Sequence, residues 1–242
     1  MPRNLAISLM SFLSLWSLGA SELDAQRVYQ RDSDIISEDA QGRVRSLGPG
    51  FNAVPISDNR SLFIRGAQMG YGEESSCERP ATKNRVVAYD LRTNNESVLF
   101  DKPLAERTVG HGGACVYEHA DLSPSQSTLY IVVPCYATSG CLAVIDLPTG
   151  RVKYIPGAMD VFVIRGGPKA GDLIYMKRSW STSHDAPYAS YPYILARPDG
   201  LQIAVISNED LVLVGGNAPA PILRAYLRGV HGRIFVQGEW VP

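Results

Sequence analysis

A strand, a polar turn and a second strand recur along this chain, and nothing constrains its fold more. "AYDLRTNNESVLF" (Ala88 to Phe100), "VIDLPTGRVKYI" (Val144 to Ile155) and "LARPDGLQIAVI" (Leu195 to Ile206) align as three copies. Each places β-branched and aromatic residues on both sides of a cluster of Asp, Thr, Asn, Pro or Gly, the signature of a hairpin. "SEDAQGRVRSLG", Ser37 to Gly48, fits as an earlier copy. No segment keeps a helical period over three turns, so the chain reads as all-β.

A second hairpin precedes each of the three. "VPISDNRSLFI" (Val54 to Ile64), "ADLSPSQSTLYIVV" (Ala120 to Val133) and "VIRGGPKAGDLIYM" (Val163 to Met176) are again strand, turn, strand, with Leu62, Leu129 and Leu173 near the start of the second strand. Two consecutive hairpins make a four-stranded unit, which we denote a, b, c and d. A repeat of such units is the pattern of a β-propeller blade. The sequence from Ser37 to Val241 resembles the TolB-like and YVTN-like propeller families in its alternation of an Asp-Gly-type turn and a D-x-x-T-G turn. It departs from them at "SDNRS" and "SPSQS", which lack the Asp-Gly ending, and at "RTNN", which replaces Thr-Gly.

The resemblance implies a β-propeller, and three clear units with two partial ends make about four blades, five being compatible, closed by N- and C-terminal strands. In that arrangement "GRVRSLG" is an outer d strand without its own a, b and c, and the stretch from Asp210 to Val241 supplies the rest of its blade. A twisted sandwich built from the same hairpins and an open arc of blades are the alternatives.

The first 25 residues have the features of a signal peptide. Arg3 gives a positive start, "LAISLMSFLSLWSLGA" is a short apolar core, and Gly19, Ala20, Ser21 and Ala25 offer cleavage positions ahead of or beside Glu22 and Asp24. The expectation is one domain over 26–242 in a secreted or periplasmic protein, with no membrane attachment after cleavage. Four cysteines fit an oxidising compartment. Cys135 and Cys141 flank a hairpin mouth and are the economical pair, which leaves Cys77 with Cys115; the other connectivities stay open. Net charge is -1, with no basic stripe, so nucleic acid is not an expected partner.

In the turn "DLPTG", Asp146, Pro148, Thr149 and Gly150 all have corner roles that need no ligand. Propeller geometry puts such short turns at one end and the b–c and d–a connections at the other. The long connections here are Gly66 to Asn84, Asp101 to Ala114 and Ser179 to Pro192. They make Tyr71, His111, Tyr136, Trp180, His184, Asp185 and Tyr188 the candidate ligand-binding residues, on loops tied by disulfides. The expected ligand is a protein, peptide or glycan, with no cofactor and no metal. The rival is a metal-assisted lyase or hydrolase using His111 and His184. Nucleotide loops, a nucleophile elbow and zinc-protease motifs are all missing from the sequence.

Overall fold

The computed structural model describes residues 26–68, 83–104, 116–136, 139–165, 169–181, 188–190, 192–206, 234–236 and 239–241. Among them every regular element is a strand. In chain order these are β1 (Arg27–Arg31), β2 (Asp34–Glu38), β3 (Val44–Ser57), β4 (Arg60–Arg65), β5 (Arg85–Asp90) and β6 (Asn95–Phe100). Then come β7 (His119–Leu122), β8 (Thr128–Tyr136), β9 (Ser139–Asp146), β10 (Val152–Pro156), β11 (Ala158–Val163) and β12 (Leu173–Lys177). The last are β13 (Ser179–Ser181), β14 (Tyr188–Ser190), β15 (Tyr193–Ala196), β16 (Gln202–Ile206), β17 (Ile234–Val236) and β18 (Glu239–Val241).

They form antiparallel meanders. β7 to β10 make one four-stranded sheet, and β11, β12, β15 and β16 another. β1 to β6 follow one another in a six-stranded sheet, but β3 serves two partners: residues 44–49 pair with β2 and residues 50–57 with β4. The result is four layers. Layer 1 is β1, β2 and the first half of β3; layer 2 is the second half of β3 with β4, β5 and β6; layers 3 and 4 are the two four-stranded sheets. The joint in β3 is sterically demanding. Gly48 has φ 89° and Asn52 φ 56°. A Cβ on Gly50 would stand 2.8 Å from both Ile35 Cγ1 and the Ile64 carbonyl oxygen.

The apolar runs are explained by layers that bury both faces. Along β8, Leu129, Ile131 and Val133 pack toward layer 2, with Leu62, Ile64 and Val86. The alternate residues Tyr130 and Val132 pack toward layer 4, with Val161, Leu173 and Ile194. A strand buried on both faces loses its polar alternation. Each such aliphatic side chain contributes about 1.5–3 kcal/mol of transfer free energy. Phe63, Val87 and Tyr89 face the other way and pack on Val28 and Ile35 of layer 1. The far side of layer 1 is polar: Arg27 forms a double hydrogen bond with Glu38, and Arg27 and Arg31 lie 5.2 and 5.6 Å over the Tyr29 ring. The last strands of layers 2 and 3, β6 and β10, are largely solvent-exposed.

"GRVRSLG" is therefore not a lone outer strand. It enters β3 and pairs with β2, which pairs with β1. "RVYQR" and "DIISE" are strands that sequence reasoning missed, being short and broken by charge. Among the described residues no sheet joins the N- and C-terminal strands, and β17 and β18 pair only with each other.

The c–d corners share one design. Asp146 Oδ1 accepts from the Thr149 amide (2.8 Å) and hydroxyl (2.7 Å), and Gly150 takes φ 70°. Asp90 Oδ1 accepts from the amides of Arg92 and Thr93, and Asp39 Oδ1 from those of Gln41 and Arg43. These bonds favour the ionised carboxylate. They hold Asp146 (chiefly through the Thr149 hydroxyl), Asp90 (Thr93 amide) and Asp39 (Arg43 amide) below the usual value of 3.8. A folded pKa below the unfolded one stabilises fully above the unfolded value, and the contribution is lost as pH falls through the folded pKa. Exchange of the Thr149 and Gly150 amides is thus expected to accelerate, beyond the intrinsic change, when pH drops below about 4. Asp146→Ala should show fast exchange there at every pH; unchanged protection in that variant would contradict the role of the carboxylate.

Candidate functional site

The two ends of the stack differ in how they spend their polar groups. At the corner end they are used locally. Ser123 Oγ accepts from the Thr128 amide, Asp199 Oδ1 from the Leu201 amide, and Arg60 reaches Gln126 in the next layer. At the opposite end three connections are long, β4 to β5, β6 to β7 and β12 to β15, and the last is built out. β13 and β14 form a separate two-stranded ribbon between β12 and β15, pairing Trp180 with Ala189 and Ser181 with Tyr188. Ser179 to Pro192 was expected to be loop throughout, so this ribbon is new.

The root of that end is rigid. Cys135 and Cys141 form a disulfide, Cα–Cα 5.5 Å, buried in the core between layers 2 and 3. The Gly140 carbonyl accepts from the Gly157 amide (3.0 Å), and the Gly157 carbonyl from the Arg178 amide (2.8 Å). This chain of bonds links the β8–β9 hairpin, the β10–β11 joint and the base of the ribbon. A side chain on Gly140 would press on the Ala158 carbonyl at 2.7 Å.

The first strands of layers 2, 3 and 4 lie side by side and are stitched by buried polar groups. Asn52 Nδ2 donates to the Ala120 carbonyl at 2.7 Å, and the Asn52 amide to Gln30 Oε1 at 3.0 Å. Asp121 Oδ2 accepts from the Val163 amide at 2.8 Å. Arg165 pairs with Asp121 and donates to the Leu122 carbonyl at 2.7 Å; their side chains are 14% and 2% exposed. His119 Nδ1 lies 3.0 Å from Asp160 Oδ1, further along the same two strands. Arg165 also helps to line a cavity of about 470 Å³ with Val28, Pro55, Ser61 and Pro124, which come from the other three layers. In the sequence Arg165 belongs to no basic stripe and to no motif. Its sequence neighbours carry no signal of the carboxylate across the layer.

Of the expected site residues, Tyr136 lies in β8 opposite Ser139, Trp180 in β13 and Tyr188 in β14. The connections place all three at the long-connection end. Tyr71, His111, His184 and Asp185, with Cys77 and Cys115, lie outside the described residues. Among the described residues, no group of three or more His, Cys, Asp or Glu could hold a metal ion.

No protein-family model matches this chain, and no curated protein matches it by sequence. The solved structures similar to it include β-propeller proteins. The β-propeller domain of the Trilobed protease from Pyrococcus furiosus is 10% identical with a TM-score of 0.44, the match covering 72% of this chain and 48% of that one. TolB from Acinetobacter baumannii is 13% identical with a TM-score of 0.44, over 73% of this chain and 38% of that one. The acylaminoacyl peptidase of Pyrococcus horikoshii is 10% identical with a TM-score of 0.41, over 73% and 29%. The chain thus spans less than half the length of each.

Proposed function

We propose that this chain is an exported, non-catalytic binding module of β-propeller type, which takes a protein, peptide or glycan at its long-connection end. The observation that carries the reading is the β13–β14 ribbon, raised on a base that the Cys135–Cys141 disulfide and the Gly140–Gly157–Arg178 bonds hold in place. Binding residues are favoured on extensions from a rigid sheet scaffold. The corner groups described at the opposite end bond to nearby backbone, to one another or across to the next layer. The disulfide also supports export to a secreted or periplasmic location, with residues 1–25 removed. The charged far side of layer 1 favours an open arc of blades over a ring closed through that face, since a terminal repeat needs a polar outer surface. The lyase or hydrolase reading rests on His111 and His184, outside the described residues.

The test screens the mature protein against a glycan array and a displayed random-peptide library. For a ligand so found, Trp180→Ala and Tyr188→Ala are expected to weaken binding at least about tenfold, or about 1.4 kcal/mol each. Thr149→Ala, at the far end, should leave it unchanged. A ligand sensitive to Thr149→Ala and indifferent to the ribbon would place the site at the other end. Failure of both screens to yield any ligand would count against a binding role for these two chemistries.

A further inference from the structure

The outer edges of the layers are not alike. β6 carries Glu96, ion-paired with Arg65, and β10 carries Lys153 and Pro156. The edge of layer 1 at β1 carries Arg27 and Arg31. Charges and proline on an edge strand discourage pairing with another chain. β16, "QIAVI", has neither. Around and along it Leu201, Ile203 and Val205 are 54%, 43% and 44% exposed, at alternating positions. Among the described residues β16 pairs only with β15; β17 comes near it but pairs with β18. The edge is also held firmly. Its leading turn is anchored by the Tyr130 hydroxyl donating to the Pro198 carbonyl (3.0 Å) and by Lys153 Nζ donating to the Asp199 carbonyl (2.9 Å).

The sequence of this edge is complementary to itself. Laid antiparallel on a second copy about Ile203, it sets Leu201 opposite Val205, Ile203 opposite Ile203 and Val205 opposite Leu201. All three pairs are apolar, and no charge meets a like charge. A two-fold axis through Ile203 brings the same patch of each copy together, the geometry of an isologous interface. We propose that β16 is a dimerisation edge, at which two copies of this chain join their fourth layers into one eight-stranded sheet. Pairing satisfies the outward backbone groups of β16 and sets the exposed stripes of the two copies side by side on one face.

Directly opposed residues in an antiparallel pair have Cα atoms about 4.5–5.5 Å apart, within the span of a disulfide. The protein carrying Ile203→Cys is therefore expected to run as a covalent dimer on a non-reducing gel after mild oxidation. Val98→Cys, 51% exposed on the charged edge β6, is expected to stay monomeric. In sedimentation equilibrium the unmodified protein should weigh as a dimer and Ile203→Lys as a monomer, with both giving the same strand signal by circular dichroism. The cysteine variant, a milder change, decides the matter if the lysine variant does not fold. A monomer at every concentration overturns the proposal. So does a dimer that Ile203→Cys does not cross-link. A monomeric Ile203→Cys protein whose introduced thiol is shielded from thiol reagent also overturns it, and would mean that the chain's own C-terminal part covers the edge.

Discussion

Asp121→Asn is expected to cost about 3–5 kcal/mol of folding stability, the cost of leaving one member of a buried ion pair uncompensated. The carboxylate is almost wholly enclosed and has three obligations. It pairs with Arg165, accepts from the Leu122 amide at 2.8 Å and accepts from the Val163 amide at 2.8 Å. Asparagine keeps the shape but not the charge, so the Arg165 guanidinium would remain buried against a neutral partner. The second variant separates charge from shape. Asp121→Asn with Arg165→Met removes both charges and should recover most of the loss, because a buried pair is often no more stabilising than an apolar replacement of similar volume. Urea denaturation with a constant m-value is the measurement. A single variant within about 1 kcal/mol of the original protein would mean that this pair is hydrated, and that the stitch between β7 and β11 is made elsewhere.

Phe63→Ala is expected to cost a similar amount, about 3–5 kcal/mol, for a different reason. Phe63 is fully buried where layer 2 meets layer 1, among Val28, Ile35, Val87 and Tyr89, and the Arg65 guanidinium lies 4.8 Å over its ring. Truncation leaves a cavity between two sheets that the stiff joint at Gly48 to Asn52 hinders from closing. Val98→Ala, on the exposed strand β6, should stay within about 0.5 kcal/mol. If both changes prove equally mild, layer 1 does not dock on layer 2 as described. Limited proteolysis after Arg31 would then cut the original protein as fast as Phe63→Ala.

These interior features were unequally visible beforehand. β8 and β9 could be read directly, because "TLYIVV" and "CLAVID" are apolar runs too short for helices and bounded by turns. The corners could be read residue by residue, since Asp, Thr and Gly act within five positions of one another, and the hairpin mouth at Cys135 and Cys141 was equally local. β13 and β14 could not. "SWS" and "YAS" have no alternation, and their pairing depends on a base formed by distant strands. The continuity of β3 was hidden for the opposite reason: its two ends read as strands, but "GPGFN" between them has the composition of a loop, yet here its glycines let one strand bend and change partners. The contacts that tie β3, β7 and β11 together, through Asn52, Asp121 and Arg165, lie 42 to 68 residues apart in sequence. No local pattern encodes such a pair. Most of the expected ligand face depends on long connections, where sequence specifies chemistry but not placement.

The joints between layers set where the chain could lengthen. Between β10 and β11 stands one residue, Gly157, whose φ is 80° and whose amide and carbonyl are both engaged. Between layers 1 and 2 there is no connection at all, only the bend inside β3. An inserted residue at either joint would shift a strand by one position and turn its inward side chains outward. The link from β6 to β7 is longer, 18 residues from Asp101 to Glu118, and lengthening a connection of that size adds little closure entropy. Insertions are therefore expected to be tolerated in that link better than at the other two seams. Among the described layers, the first two are thus joined inside one strand and the last two by one residue, while the longer β6–β7 link separates the pairs.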